Sequence, residues 1–413
     1  MKKSLFAIAA VGAFAGAAQA QSSVTVYGLL DFGYGYAQQR NNTGATGVTV
    51  TNQNTSGFSG NGESTSRLGF RGTEDLGGGS TAFFTVEAAL NTDQAGLFSS
   101  GASGSGNRQT FLGLGQKGLG QASIGIQYTP VHEAAAVTDA GGLNNQNGNV
   151  IYDRTGGFGS AAGQVVAGTG VGLNSVSGMS TNTSYTIRSS NMLMLKSERI
   201  AGVQAKLMLV QGGKDSNNAT TGTQTIDNNG VGGSLDYTWN KLFVTASYQS
   251  FKNTTLGGGT FAPGYNGAGI APGVNTGDVQ QYYAASYDFG VLKAFAQYVN
   301  RKVTNQVDNN NYVSRAAQQI GVRAPITKTV QAWASAGTGS INAGGNNMTP
   351  SKFNGWQVGS DYSLSKRTNL YAIYGQTATS TNQMATAYGT NTATTGANSY
   401  NANSYAVGVR HTF

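Results

Sequence analysis

The chain has 413 residues with 62 Gly, 5 Pro and no Cys, a formal charge of +8 and only 10% charged residues. Gly stands at about twice its usual share of roughly 7%, and charge falls far below the roughly 25% of ordinary soluble proteins. The lack of Cys excludes disulfides, thiolate chemistry and Cys-ligated zinc, while 20 Tyr and 17 Phe argue against a disordered polar chain.

Residues 1–20 have the form of a secretory leader. Lys2 and Lys3 precede the short apolar stretch Leu5–Ala17, and Ala18-Gln19-Ala20 is a small-x-small cleavage site. Cleavage after Ala20 leaves residues 21–413, with a charge of (25 − 2) − 17 = +6. No later apolar run approaches the ~18 residues of a membrane helix. The rest of the chain reads as a single domain, because no Pro-rich linker or change of composition divides it.

That domain alternates between apolar/polar segments of ~9–12 residues, the length of a tilted membrane-crossing strand, and loops of two kinds. The alternation is plainest in the second half. Val203, Ala205, Leu207 and Leu209 share one face, as do Leu242, Val244, Ala246 and Tyr248. Leu292, Ala294, Ala296 and Tyr298 oppose Lys293, Gln297 and Arg301, and Tyr405, Val407, Val409 and Phe413 oppose Arg410 and Thr412. Such a pattern fits a soluble sandwich with an apolar core or a membrane barrel with its apolar face turned to lipid. Loop lengths separate the two. Short connections fall at Glu74–Gly79, Gln116–Gly120, Ser197–Gly202, Trp239–Lys241, Asp288–Gly290, Pro325–Thr327 and Leu364–Arg367. Long polar stretches lie between them: Gln38–Gly62, Asn91–Gly106, Thr129–Thr181, Gln211–Asn229, Lys252–Thr276, Thr304–Tyr312, Asn342–Lys352 and Thr379–Asn401. Short turns on one rim and long loops on the other are the habit of outer-membrane barrels. The spacing predicts an all-β fold, a transmembrane antiparallel β-barrel of about sixteen strands, a size that leaves a water-filled channel.

Several stretches resemble the Gram-negative general porin family, the trimeric diffusion channels of the outer membrane. Ser22–Gly28 with Asp31 resembles the opening of that family's mature chain, and Ser66–Gly79 its second strand and first short turn. Asn107-Arg108-Gln109 with Phe111–Leu114 resembles the fourth strand, Leu364–Tyr371 the last short turn, and Val407–Phe413 the closing strand. These motifs span the mature chain. The resemblance implies a homotrimer in outer-membrane lipid that passes small hydrophilic solutes and inorganic ions. It implies no cofactor, no covalent step and no enzyme activity. It also implies that Phe413 belongs to an assembly signal and that the third long loop folds inward.

Porins select by pore width and by rings of charge at a constriction. Leu68 and Phe70 share a face, which places Arg67 and Arg71 on the lumen side by parity. The resemblance puts Arg67, Arg108 and Arg188 in a basic constriction cluster; the plainer alternative is that each solvates a polar wall. Parity turns Glu87 inward, since Val86 and Ala88 flank it. Tyr128–Glu133 resembles the start of the inward loop, whose acids are Glu133, Asp139 and Asp153. Gly125-Ile126-Gln127 departs from the family's frequent Gly-Arg-Gln, and parity groups Ile126 with Ile124 and Tyr128. A +6 mature charge and these arginines together predict a mild anion preference.

Other matches carry little. Gly113-x-Gly115-x-x-Gly118 spells a dinucleotide fingerprint but opens no helix. His132 and His411 have no companion metal ligand nearby, and Lys and Arg are scattered rather than gathered into a nucleic-acid patch. Two rival readings stay open at this point: a substrate-specific channel with a saturable site in Thr129–Thr181, and a surface adhesin or structural β-protein.

Overall fold

The computed structural model describes residues 23–43, 49–92, 96–98, 106–153, 179–212, 225–256, 275–305, 312–344, 351–382 and 398–413. The leader expected over Met1–Ala20 lies outside the described residues, as do residues 154–178 of the third long loop.

The strands are β1 (Ser23–Thr43), β2 (Thr49–Gly60), β3 (Arg67–Gly77), β4 (Ser80–Ala89), β5 (Asn107–Gln116) and β6 (Gly120–Tyr128). A helix, α1 (Pro130–Thr138), and a three-residue strand, β7 (Met179–Thr181), precede β8 (Thr186–Ser197), β9 (Val203–Gln211) and β10 (Thr225–Trp239). The series continues through β11 (Leu242–Leu256), β12 (Asn275–Asp288), β13 (Lys293–Asn305), β14 (Tyr312–Pro325) and β15 (Val330–Gly344). It ends with β16 (Ser351–Ser363), β17 (Thr368–Asn382) and β18 (Asn398–Thr412).

The pairings are antiparallel, and β1 closes the sheet on β18 from Leu29↔Thr412 to Asn42↔Ser399. The other edge of β1 pairs with β3 from Ser23 to Leu29 and with β2 from Phe32 to Thr43. β2 and β3 are therefore two halves of one wall strand, interrupted at residues 61–66. With that pair counted once and the short β7 set aside, 18 − 2 = 16 strands make the wall. Among the described strands, closure leaves each of these sixteen with a neighbour on both sides, as a lipid-embedded sheet requires.

The alternation resolves in favour of the barrel. On β9, Val203, Ala205, Leu207 and Leu209 are exposed, whereas Lys206, Met208 and Val210 are buried. Val244, Ala246 and Tyr248 on β11 point outward as well, and Thr245, Ser247 and Gln249 point inward. An apolar exterior over a polar interior inverts the soluble pattern and matches an outer-membrane wall. The long polar stretch Gln38–Gly62 turns out to be largely strand, since the β1–β2 ladder runs from Phe32↔Gly60 up to Thr43↔Thr49. Backbone pairing needs no apolar face, so a hairpin of Asn, Gln and Thr shows no alternation to read.

Two local devices follow from glycine. Gly77, Gly78 and Gly79 form the first short turn with φ of 82°, 61° and 79°, a left-handed run that side chains resist. At the seam, Phe413 exchanges two backbone hydrogen bonds with Gly28, each 3.1 Å. The Phe413 ring occupies the space a Cβ on residue 28 would take, 2.2 Å away. A glycine there leaves room for the terminal aromatic ring.

Candidate functional site

The chain leaves β6 at Thr129, and Pro130 begins α1. The Thr129 hydroxyl accepts from the His132 N–H at 3.3 Å and donates to the Thr186 carbonyl at 2.6 Å. An N-cap threonine followed by proline is a favoured helix start. Residues 131–152 then lie against inward-facing wall residues. Val131, Ala134, Ala135, Val150, Ile151, Tyr152 and Tyr185 pack with Tyr282, Val299, Val303, Ala317 and Phe353 into an apolar core inside the barrel.

Past the helix the loop is latched by amides. Gln357 on β16 donates to the carbonyls of Gln146 at 2.9 Å and Asn147 at 2.8 Å, and exchanges bonds with the Asn144 amide. The Asn147 and Gly148 N–H groups donate to Ser404 Oγ and Thr377 Oγ1, and Val150 N–H donates to Gln319 Oε1. Asn145 and Gln146 reach the carbonyls of Asn61 and Gly62, each at 2.8 Å. The break between β2 and β3 thus serves as a landing for the loop. Asp31 holds that break by accepting from the Glu63 and Ser64 N–H groups and from Tyr371 Oη.

On the other side of the lumen, β1, β3, β4, β5, β6 and β8 bring together Tyr27, Arg67, Arg71, Glu87, Arg108, Tyr128 and Arg188. Glu87 is buried. Its Oε1 accepts from Arg108 Nε at 2.7 Å, and its Oε2 accepts from Tyr27 Oη at 3.1 Å and lies 3.8 Å from Arg67 Nε. Arg108 Nη2 donates to Tyr128 Oη at 2.8 Å. Arg188 stands over the Tyr128 ring at 5.8 Å, and Arg71 over the Tyr27 ring at 5.3 Å. Two of the four guanidiniums, Arg67 and Arg108, pair with Glu87, and these five described side chains together carry 4 − 1 = +3.

Two β-bulges shape this cluster. Between β4 and β5 the register slips where Glu87↔Gln109 gives way to Ala88↔Asn107, leaving Arg108 as the extra residue. Between β6 and β8 it slips from Gly125↔Met192 to Gln127↔Ser189, with Asn191 at φ 52° in the additional stretch. Bulges bend a strand and re-aim its side chains. The parity that groups Tyr128 with Ile124 is corrected here: Ile124 is exposed at 61%, whereas Tyr128 bonds Arg108 inside. Strict alternation fails because β6 reaches its end beside these bulges, with Gly125 at φ 137°.

Glu133, Asp139 and Asp153, expected at the constriction, make their described contacts with groups other than Arg67, Arg71, Arg108 and Arg188. Glu133, in the first turn of α1, pairs with Lys196 Nζ at 2.5 Å and Lys206 Nζ at 3.1 Å, and Lys206 also meets Asp236 at 2.8 Å. These bonds clamp the helix to β8–β10. Asp139 is buried and accepts from Leu143 N–H, Asn149 Nδ2 and Gln319 Nε2. Asp153 accepts from Thr183 Oγ1 at 2.9 Å and lies 3.5 Å from Arg315 Nη2. Burial raises both carboxyls above the ordinary carboxylate range, more than their hydrogen bonds and nearby arginines lower them. All three acids hold the loop because each meets its wall partners within the packed side. Sequence reasoning also missed Tyr27 and Tyr128 as cluster members and the Asp278–Arg301 pair, 2.6 Å apart. Parity had turned Arg301 inward; nothing in the local sequence marked its partner.

A closed sixteen-strand wall, apolar outside and charged within, defines a transmembrane channel of the outer-membrane type. The chain matches the Gram-negative porin family model over residues 7–382. It is 28% identical over 407 residues to an outer membrane porin protein of Bordetella pertussis, covering 92% of this chain and 94% of that one. An anion-selective porin from Comamonas acidovorans superposes with a TM-score of 0.65 at 20% identity, covering 95% of this chain and all of that one. The trimer form of OmpT, an outer membrane protein of Vibrio cholerae, superposes at 0.56 with 14% identity, covering 95% and 99%. The chain belongs to the Gram-negative porin family and forms a channel in the outer membrane.

Proposed function

We propose that the channel passes small hydrophilic solutes and ions down their gradients with a mild preference for anions, and that Arg67, Arg71, Arg108 and Arg188 set that preference. The observation that carries this reading is the gathering of four arginines around Tyr27, Tyr128 and Glu87 among the described residues. A wall with excess positive charge and low-dielectric surroundings concentrates counter-ions along it. The family supports the channel, and the anion-selective porin of the same fold is consistent with the sign. Export with cleavage after Ala20, an assembly role for Phe413 and a homotrimeric state belong to the same proposal. The trimeric relative supports the last of these.

The test is the reversal potential of the purified protein in a planar bilayer under a potassium chloride gradient. Chloride preference that weakens in Arg108→Gln supports the assignment, and potassium preference in the unmodified protein overturns it. Saturable block by one solute at low concentration would favour a substrate-specific channel instead.

A further inference from the structure

We infer that Tyr128 is a positioning residue for charge selection, dividing Arg108 from Arg188 and holding each by a different part of one side chain. The inference rests on the reading of the arginines as the selecting cluster and adds a residue to it.

The register places the three side by side. The β5–β6 ladder ends at Thr110↔Ile126, and the β6–β8 ladder ends at Tyr128↔Arg188. Two strands spaced ~4.8 Å apart separate the arginine backbones by roughly 10 Å, and flexible side chains in a bulged wall can close much of that gap. Two guanidiniums approaching in a partly dry wall repel. Tyr128 lies between them with two different attractive surfaces. Its hydroxyl oxygen accepts from Arg108 Nη2 at 2.8 Å. Its ring face lies under Arg188 at 5.8 Å, within reach of a cation–π attraction.

The tyrosine is itself fixed from behind, since its ring lies 4.5 Å from the His132 ring in the first turn of α1. The start of the third long loop therefore reaches the cluster: through His132 and Tyr128 it fixes where two of the selecting charges stand. A residue with only the hydroxyl or only the ring would keep one of these two contacts and lose the other.

The experiment compares Tyr128→Phe and Tyr128→Leu with the unmodified protein. It measures the chloride-to-potassium permeability ratio and single-channel conductance, with heat-modifiable gel mobility confirming a folded barrel. Tyr128→Leu is expected to lower the ratio about twofold or more at low salt, with conductance at high salt nearly unchanged. Tyr128→Phe keeps the ring and should fall between the two. The difference should fade as salt screens the arginines. In an Arg108→Gln, Arg188→Gln background the effect of Tyr128→Leu should vanish, as coupling through those partners requires.

An unchanged ratio in Tyr128→Leu overturns the inference. So does a ratio that moves only in step with conductance, or an effect that survives in the double-glutamine background. If Arg108→Gln and Arg188→Gln themselves leave selectivity untouched, the arginine reading fails first, and the two failures are thereby told apart.

Discussion

Arginines point into this barrel on both sides, and the two sides treat them differently. On the packed side, Arg301 has its own Asp278, and Arg315 meets Asp153, Ser184 Oγ and the Val150 carbonyl. Their side chains are 4% and 2% exposed. On the other side, Arg67 is 27% exposed and shares Glu87 with Arg108. A lumen-facing arginine is therefore no sign of a selecting charge by itself. What distinguishes the two sides among the described residues is the number of carboxylates per guanidinium and the packing of residues 131–152, which form an apolar core with the wall.

Breaking the packed side should have the largest effect. Asp278 accepts from Arg301 Nη2 at 2.6 Å and from its Nε, and Gln280 Nε2 donates to it as well. Asp278→Ala leaves a buried guanidinium without its counter-charge and should destabilise the barrel by about 3–5 kcal/mol. Urea titration followed by gel mobility of the folded form measures it, and permeability ratios should stay near those of the unmodified protein. A large shift in selectivity with little loss of stability would erase the distinction between the two sides. Gln357→Leu acts on the latch between them. It removes hydrogen bonds to Gln146 and Asn147 and takes the Gln357 partner from the Asn144 amide. The expected loss is about 1–3 kcal/mol, and single-channel records should show added current noise as residues 144–148 lose one of their holds.

The difference between the sides was only partly legible in the sequence. Alternation in Val203–Leu209 and Val244–Tyr248 located the lipid face because each residue there obeys a period of two. Loop lengths located the rims for the same kind of reason: they are local. The bulges at Arg108 and Asn191 each add one residue to a ladder, and neither leaves a pattern longer than itself. Asn191, a residue type that tolerates positive φ, is the one trace of them. The acids of the inward loop were harder still. Asp153 meets Arg315, 162 residues along the chain, and Glu133 meets Lys196 and Lys206. Composition shows that carboxylates are scarce, but only the packing of the loop decides which cations they neutralise.

The smallest expected change in stability, and the sharpest test of the comparison, comes from Glu87. Glu87→Gln keeps one oxygen acceptor where Arg108 and Tyr27 now use two. Arg67 is partly solvated, and lumen water can screen what the amide does not. A loss on the order of 1 kcal/mol follows, well below that for Asp278→Ala. The charge of the cluster, however, rises from 4 − 1 = +3 to +4. If the shared carboxylate acts mainly by cancelling charge, chloride preference should increase, most clearly at low salt where exposed charges are least screened. If preference falls instead, Glu87 acts chiefly by holding Arg108 and Arg67 in place. The open side would then depend on its carboxylate for geometry much as the packed side does, and the contrast between them would be one of solvent rather than of charge.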